Sequence, residues 1–83
     1  MKVQLRYFAS VREAIGRSAE SRDTQAGTLG ALRDELVALG APYAQALAPG
    51  RAVRMAIDQV MSDETAALRE GAEVAFFPPV TGG

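Results

Sequence analysis

Residues 73–83, EVAFFPPVTGG, decide the fold. Their first five positions alternate, with Val74 and Phe76 on one face of a strand and Phe77 on the other. The two prolines that follow offer no backbone N–H, so a hydrogen-bonded ladder cannot continue beyond Phe77. The segment Pro78–Gly83 can extend over about 20 Å, from a stiff Pro-Pro base to two glycines without side chains. We therefore predict a final strand and, after it, an extended, flexible tail.

The first eight residues, MKVQLRYF, alternate in the same way and predict the first strand. Val3, Leu5 and Tyr7 fall on its buried face, whereas Phe8 falls with the polar residues on the other face. Phe8 and Phe77 thus stand at the ends of two strands, on faces that the core does not need. An exposed apolar surface of this kind often marks an interface.

A short helix and a weak strand are predicted next. Ser10 and Glu13 have the spacing of a capping box, and Gly16 ends the helix after two turns at most. The segment 19–24, AESRDT, is weakly strand-like and polar. Such a strand can only lie at an edge of the sheet, where one side faces solvent.

The longest helix is predicted over residues 29–39, LGALRDELVAL, with Thr28 as its N-terminal cap and a glycine after its end. After it, residues 42–50 form a loop with one turn that places Tyr43 and Leu47 on the core. The apolar stripe of the helix consists of Leu29, Leu32, Leu36 and Leu39.

Two more strands complete the pattern. Residues 51–58 alternate, a turn follows at Asp58-Gln59, and Val60 and Met61 continue as a small strand. One amphipathic helix against one sheet is a two-layer α+β domain. We assign this domain to residues 1–77 and the tail to residues 78–83. The inward positions of the third strand are Val53, Met55 and Ile57.

The composition excludes most chemistry from the domain. The 83 residues contain neither cysteine nor histidine, so we expect no disulfide, no thiolate metal site and no histidine-dependent triad. Asp63 and Glu64 lack further ligands at metal spacing, and we expect a solvated turn there. Nine basic and ten acidic residues are scattered along the chain, so nucleic acid is not an expected partner. No run is long enough to span a membrane, and the start is unlike a signal peptide, so we expect a cytoplasmic protein.

Three stretches carry a resemblance: YFASVRE near the start, IDQ after the third strand, and above all EVAFFPPVTGG. They resemble the small subunit of molybdopterin synthase, the MoaD family. The resemblance spans the whole chain and implies the β-grasp, ubiquitin-like fold, with a mixed sheet packed on one main helix. It also implies that the protein is a sulfur carrier of molybdenum cofactor biosynthesis.

The resemblance implies a chemical role for the terminal residues, Gly82 and Gly83. The Gly83 carboxylate would be adenylated by a MoeB-like activating enzyme that uses ATP and then converted to a thiocarboxylate. A MoaE-like large subunit would take the sulfur to build the dithiolene of molybdopterin. This chain would bind no cofactor or metal, and the catalytic groups would belong to its partners.

A docking surface is expected at the root of the tail. In a β-grasp sheet the first and last strands are parallel neighbours, so Phe8 and Phe77 should lie close together at one edge. The resemblance adds an apolar contribution from Met61 and polar contacts from Arg12. The expected partner-binding residues are Phe8, Arg12, Met61, Phe77, Pro78, Pro79, Val80 and Thr81.

Other functions share some of these features. A thiamine-pathway carrier, or another β-grasp sulfur carrier, also ends in Gly-Gly, although FFPPVTGG, the long helix and the 41–50 loop favour the molybdopterin branch. A ubiquitin-like protein modifier would join its tail to target lysines. A plain binding module would make no use of the tail.

Overall fold

The computed structural model of the protein describes residues 1–48 and 50–79. Its five strands form one sheet in the order β2-β1-β5-β3-β4. β1 and β5 run parallel, and the other neighbouring pairs are antiparallel, so the sheet is mixed, as predicted. The elements in chain order are β1 (Lys2–Tyr7), α1 (Ala9–Ile15), β2 (Ala19–Asp23), α2 (Leu29–Val37), α3 (Tyr43–Leu47), β3 (Arg54–Ile57), β4 (Val60–Ser62) and β5 (Glu73–Phe77).

The core lies between one face of the sheet and the helices. Strict alternation in β1 buries Val3, Leu5 and Tyr7 and leaves the residues between them exposed, because successive side chains of a strand point to opposite faces. Phe76 of β5 is fully buried, and its ring stacks on Tyr7 with a centroid distance of 6.0 Å. We call this side the covered face and the other side the open face.

Several predictions about local structure are confirmed. Thr28 caps α2, since its side chain accepts a hydrogen bond from the Ala31 backbone N–H over 3.2 Å. β2 is an edge strand. The turn after β3 falls at Asp58 and Gln59, which both have positive φ angles of 49° and 70°. The loop between α2 and β3 contains one short helix, α3, whose Leu47 is fully buried.

The predicted stripe of α2 is wrong at its last position. Leu29, Leu32 and Leu36 are buried, but Leu39 is 50% exposed. The helix ends at Val37, and the backbone turns at Gly40 with a φ of 84°. Leu39 therefore lies beyond the last helical turn and does not continue the 3.6-residue repeat that would have brought it to the core.

The predicted capping box of α1 is also wrong. The helix begins at Ala9, one residue before Ser10, and its N-cap is Phe8, which makes no side-chain hydrogen bond to the helix. The chain reaches Phe8 directly from β1, so no linker remains in which Ser10 could serve as the cap. The predicted end at Gly16 is confirmed, with a left-handed φ of 88° that glycine adopts without strain.

The third strand is shorter than predicted, and its pattern of burial differs. β3 begins at Arg54; Met55 is buried, whereas Val53 and Ile57 are only partly buried. Ala56 is 6% exposed although it belongs to the open face. Ala56 pairs with Ala75 on one side and Met61 on the other, and these neighbours cover so small a side chain.

Candidate functional site

The parallel pairing of β1 and β5 builds the root of the tail. Tyr7 pairs with Phe76, so the next residue of each strand, Phe8 and Phe77, stands at the same end of the sheet. The Phe8 backbone N–H donates a hydrogen bond to the Phe76 carbonyl over 3.1 Å and extends the ladder by one residue. The predicted neighbourhood of Phe8 and Phe77 is confirmed by this register.

Phe8, Met61 and Phe77 meet on the open face, and we call these three residues the apolar patch. They line one surface cavity of about 550 Å³. Phe8 is 41% exposed, Met61 is 61% exposed and Phe77 is half-buried. The other residues that line this cavity are Arg6, Ala56, Gln59, Glu73 and Ala75.

Polar side chains bound the apolar patch toward the start of β1. The Arg6 guanidinium lies over the Phe8 ring, 5.8 Å from its centroid, which is within cation–π range. Arg6 also forms an exposed ion pair with Glu73, with a nitrogen–oxygen distance of 3.7 Å. An apolar centre with a polar rim is the usual composition of a protein–protein interface.

The other predicted partner-binding residues fall in different places. Arg12 is exposed on α1, and its backbone N–H donates to the Phe8 carbonyl over 3.2 Å, but it does not line the cavity of the apolar patch. Pro78 and Pro79 are half-buried and continue from Phe77, where β5 ends as predicted. Val80, Thr81, Gly82 and Gly83 lie outside the described residues.

A cluster of arginines that the sequence did not predict lies beside Pro79. A second cavity, of about 340 Å³, is lined by Arg33, Arg51, Arg54 and Pro79, together with Ala52 and Val53. The signal in the sequence was RAVR, residues 51–54, at the start of the predicted third strand. Two arginines at this spacing are common, so the sequence alone does not indicate a site here. The cluster is related to the tail because Pro79 lines the same cavity.

The strongest electrostatic cluster lies on the covered side of the sheet. The hydroxyls of Tyr7 and Tyr43 each donate to Glu20 Oε2 over 2.7 Å, and Arg17 donates to Glu20 Oε1 over 3.1 Å. Burial by itself would raise the pKa of Glu20, but the hydrogen bonds from Tyr43 and Tyr7 and the charge of Arg17 outweigh it and lower the pKa. Burial and the bond to Glu20 raise the pKa of Tyr7 far above its ordinary value. This cluster ties β1, β2 and α3 together and takes no part in the apolar patch.

Two kinds of feature are absent from the described part of the chain. Within residues 1–48 and 50–79, no group of acidic side chains is arranged to hold a metal ion. In the same ranges, no helix has both the length and the apolar character needed to cross a membrane. The features that stand out are the apolar patch, which includes Phe77, and the arginine cluster beside Pro79.

Sequence comparison matches residues 5–83 to the ThiS family. The chain belongs to the ThiS family. Within it, the chain is 40% identical over 77 residues to the molybdopterin synthase sulfur carrier subunit of Haemophilus influenzae, covering 93% of this chain and 94% of that protein. It is 38% identical over 81 residues to the subunit of the same name from Escherichia coli, covering 98% and 99%. The predicted resemblance to this group is thereby confirmed.

Solved structures that resemble this member of the ThiS family confirm the β-grasp fold. SAMP1 from Haloferax volcanii superimposes with a TM-score of 0.77 at 24% identity, over the whole of both chains. The complex of subunits 1 and 2 of the molybdopterin-converting factor from Helicobacter pylori includes a chain that matches with a TM-score of 0.70. That chain is 24% identical and is also matched over its full length. At this level of identity the likeness establishes the fold.

Proposed function

We propose that this chain is the sulfur carrier subunit of a molybdopterin synthase. The observation that carries the proposal is the name shared by relatives that are 36–40% identical over nearly the whole chain, each a molybdopterin synthase sulfur carrier subunit. The ending FFPPVTGG supports it, because this tip is narrow enough to enter a channel and present a terminal carboxylate.

The proposed chemistry takes place on the Gly83 carboxylate. Attack of this carboxylate on the α-phosphate of ATP forms an acyl-adenylate and releases pyrophosphate. Sulfide, the sulfur source of the test below, then attacks the carbonyl carbon, AMP leaves as the bond to its phosphate oxygen breaks, and the thiocarboxylate remains after one proton passes to water. Its anionic sulfur is a good nucleophile, as thiolates are, and it adds to the cyclic pyranopterin precursor. Water then cleaves the resulting thioester and restores the Gly83 carboxylate, with the sulfur left on the product.

The apolar patch is the proposed docking surface for two partners. A MoaE-like large subunit would receive the sulfur, and a MoeB-like enzyme would adenylate the tail with ATP. The patch can serve both because it lies at the root of the tail, where the body of the carrier would rest against the mouth of a partner's channel. Arg12, Pro78, Pro79, Val80, Thr81 and Gly82 are the remaining proposed contacts. Acids, bases and metals for the two reactions would come from the partners, in the cytoplasm.

Intact mass spectrometry tests the proposal. The purified protein is incubated with an activating enzyme, ATP and sulfide, and we expect the mass gain of one oxygen exchanged for sulfur. Omitting ATP should abolish the gain. A protein modifier would instead appear as an isopeptide adduct on a lysine, and a plain binding module would show neither change.

Variants of the terminus make this test specific to Gly83. Deleting Gly83, or adding one residue after it, should abolish sulfur loading because the reacting carboxylate is then misplaced. The thermal midpoint should stay within a degree or two, because the buried core ends at Phe76. Sulfur loading of either variant, or a large loss of stability, would contradict the proposal.

A further inference from the structure

Three arginines among the described residues belong to none of the ion pairs that these residues form. Five ion pairs use Arg6, Arg17, Arg22, Arg33 and Arg69. Among residues 1–48 and 50–79, the arginines outside these pairs are Arg12, Arg51 and Arg54. Two of them, Arg51 and Arg54, line the cavity that also contains Pro79, and both are exposed. Two arginines that form no ion pair with another described residue thus lie beside Pro79.

The position of Arg54 is fixed by the sheet. Arg54 of β3 pairs directly with Phe77 of β5, and directly paired residues place their side chains on the same face. Arg54 therefore borders the apolar patch on the open face. It lines a third cavity together with Met61, Asp63 and Glu64, and it also lines the cavity that contains Pro79.

The position of Arg51 is fixed by a buried arginine. Arg33 is 7% exposed, and its Nε and Nη2 donate to the carbonyls of Leu47 and Ala48 over 2.8 and 3.1 Å. The same Ala48 carbonyl accepts the Arg51 backbone N–H over 2.8 Å. The guanidinium of Arg33 thus holds the end of α3 in place. Because the Arg51 backbone is bonded to the same carbonyl, Arg51 has a defined position on the surface.

We infer that Arg51 and Arg54 form a cationic collar that receives acidic side chains of the activating enzyme at the mouth of its active site. This inference rests on the proposed function. Among the described residues, no acidic side chain lines the cavity that Arg51 and Arg54 share. Asp63 and Glu64 line the third cavity with Arg54, but Glu64 pairs with Arg33, so the charges of Arg51 and Arg54 are available to a partner. The guanidinium group of arginine can form two parallel hydrogen bonds with one carboxylate, so arginines are well suited to bind acidic side chains on a protein surface.

The distribution of charge selects the activating enzyme over the large subunit. The apolar patch is the proposed docking surface for both partners, so it does not distinguish between them. An activating enzyme must bind a carrier, modify it and release it many times. Charged surfaces at the edge of an interface raise the association rate more than the affinity, which is what such a transient encounter requires.

The test is the salt dependence of adenylation. The charge-reversal variants Arg51→Glu and Arg54→Glu are compared with Lys2→Glu, which makes the same change of charge on an exposed residue at the other end of β1. At low ionic strength, kcat/KM for the carrier should fall about tenfold or more in the two arginine variants, and in neither case should kcat change by more than about twofold. For Lys2→Glu, kcat/KM should stay near the wild-type value. Arg54→Lys, which keeps the positive charge, should retain most of the wild-type kcat/KM. Raising the salt concentration should close the gap, because screening weakens steering between exposed charges.

Each result has one meaning. Arginine variants that behave like Lys2→Glu, or a loss that salt does not relieve, would overturn the inference. A fall in kcat with an unchanged KM would also overturn it, because the arginines would then act on the bound nucleotide. A loss confined to binding of the large subunit would also overturn the inference, because the collar would then contact that subunit and not the activating enzyme. If the wild-type chain is not adenylated at all, the proposed function itself fails, and that result is visible before any variant is made.

Discussion

The two faces of the sheet use the same kind of residue for different ends. Phe76 and Phe77 are neighbours in β5, but one is fully buried against Tyr7 on the covered face and the other lines a surface cavity on the open face. The difference follows from the two-residue period of a strand, which sends successive side chains to opposite sides. The covered face stabilises the fold, and the open face can therefore carry an apolar patch that folding does not require.

This division explains how a small domain can expose an apolar patch and still fold to one structure. The apolar patch is confined to one end of the open face, and the Arg6–Glu73 ion pair bounds it on the side of the sheet away from the tail. The cationic collar lies on its other side, next to Pro79. The apolar patch and the cationic collar thus both lie around the end of β5, where the chain leads into the tail.

The largest expected effect comes from the covered face. Phe76→Ala removes a fully buried ring and leaves a cavity beside Tyr7, so the free energy of unfolding should fall by about 3–5 kcal/mol. Chemical denaturation followed by circular dichroism measures this loss. Phe77→Ala is the matched control and should cost about 1 kcal/mol or less, because its ring is already half exposed. If Phe77→Ala unfolds the domain while Phe76→Ala spares it, the assignment of the two faces is reversed.

Most of this division could be predicted from the sequence, because alternation in β1 and β5 needs only side-chain polarity. The places where prediction failed are those where tertiary contacts decide. Leu39 fits the helical repeat, but the helix ends two residues before it. Ala56 has the parity of an exposed residue, yet its small side chain is covered by neighbours on adjacent strands. The cationic collar joins residues distant in sequence, and no local pattern could reveal that Arg51 and Pro79 share a cavity.

The second effect belongs to the open face and should appear only when a partner is present. Phe77→Ala should weaken binding of the large subunit by about tenfold to a hundredfold, because central aromatic anchors of interfaces cost about 2 kcal/mol or more when truncated. Isothermal titration calorimetry of the variant and the wild type measures the ratio. Met61→Ala should show a smaller loss of the same sign. Unchanged affinity in both variants would remove the apolar patch from the interface.

The smallest effect concerns the ionised cluster on the covered side. Glu20 pairs with Leu5 across β1 and β2, so it shares the covered face and reaches the hydroxyls of Tyr7 and Tyr43 there. Its pKa is lowered in the folded protein, so the unfolded chain binds the proton more tightly than the folded one. The stability that this carboxylate contributes is complete above its usual pKa of 4.5. It is lost as the pH falls through the lower pKa of the folded state.

Two variants of this cluster test the sign. Glu20→Gln should lower the free energy of unfolding at neutral pH by about 1 kcal/mol, and this deficit relative to the wild type should shrink as the pH falls below 4.5. Tyr43→Phe removes one of the hydrogen bonds that lower the pKa of Glu20, so its loss of stability in acid should be smaller than that of the wild type and complete at a higher pH. Urea denaturation between pH 3 and 7, about the range in which carboxylates titrate, measures both curves. Neither variant should change the affinity for the large subunit at neutral pH, because the Glu20 cluster and the apolar patch lie on opposite faces. A loss of affinity in Tyr43→Phe without a loss of stability would mean that the two faces are coupled, and the separation of folding from recognition would then be wrong.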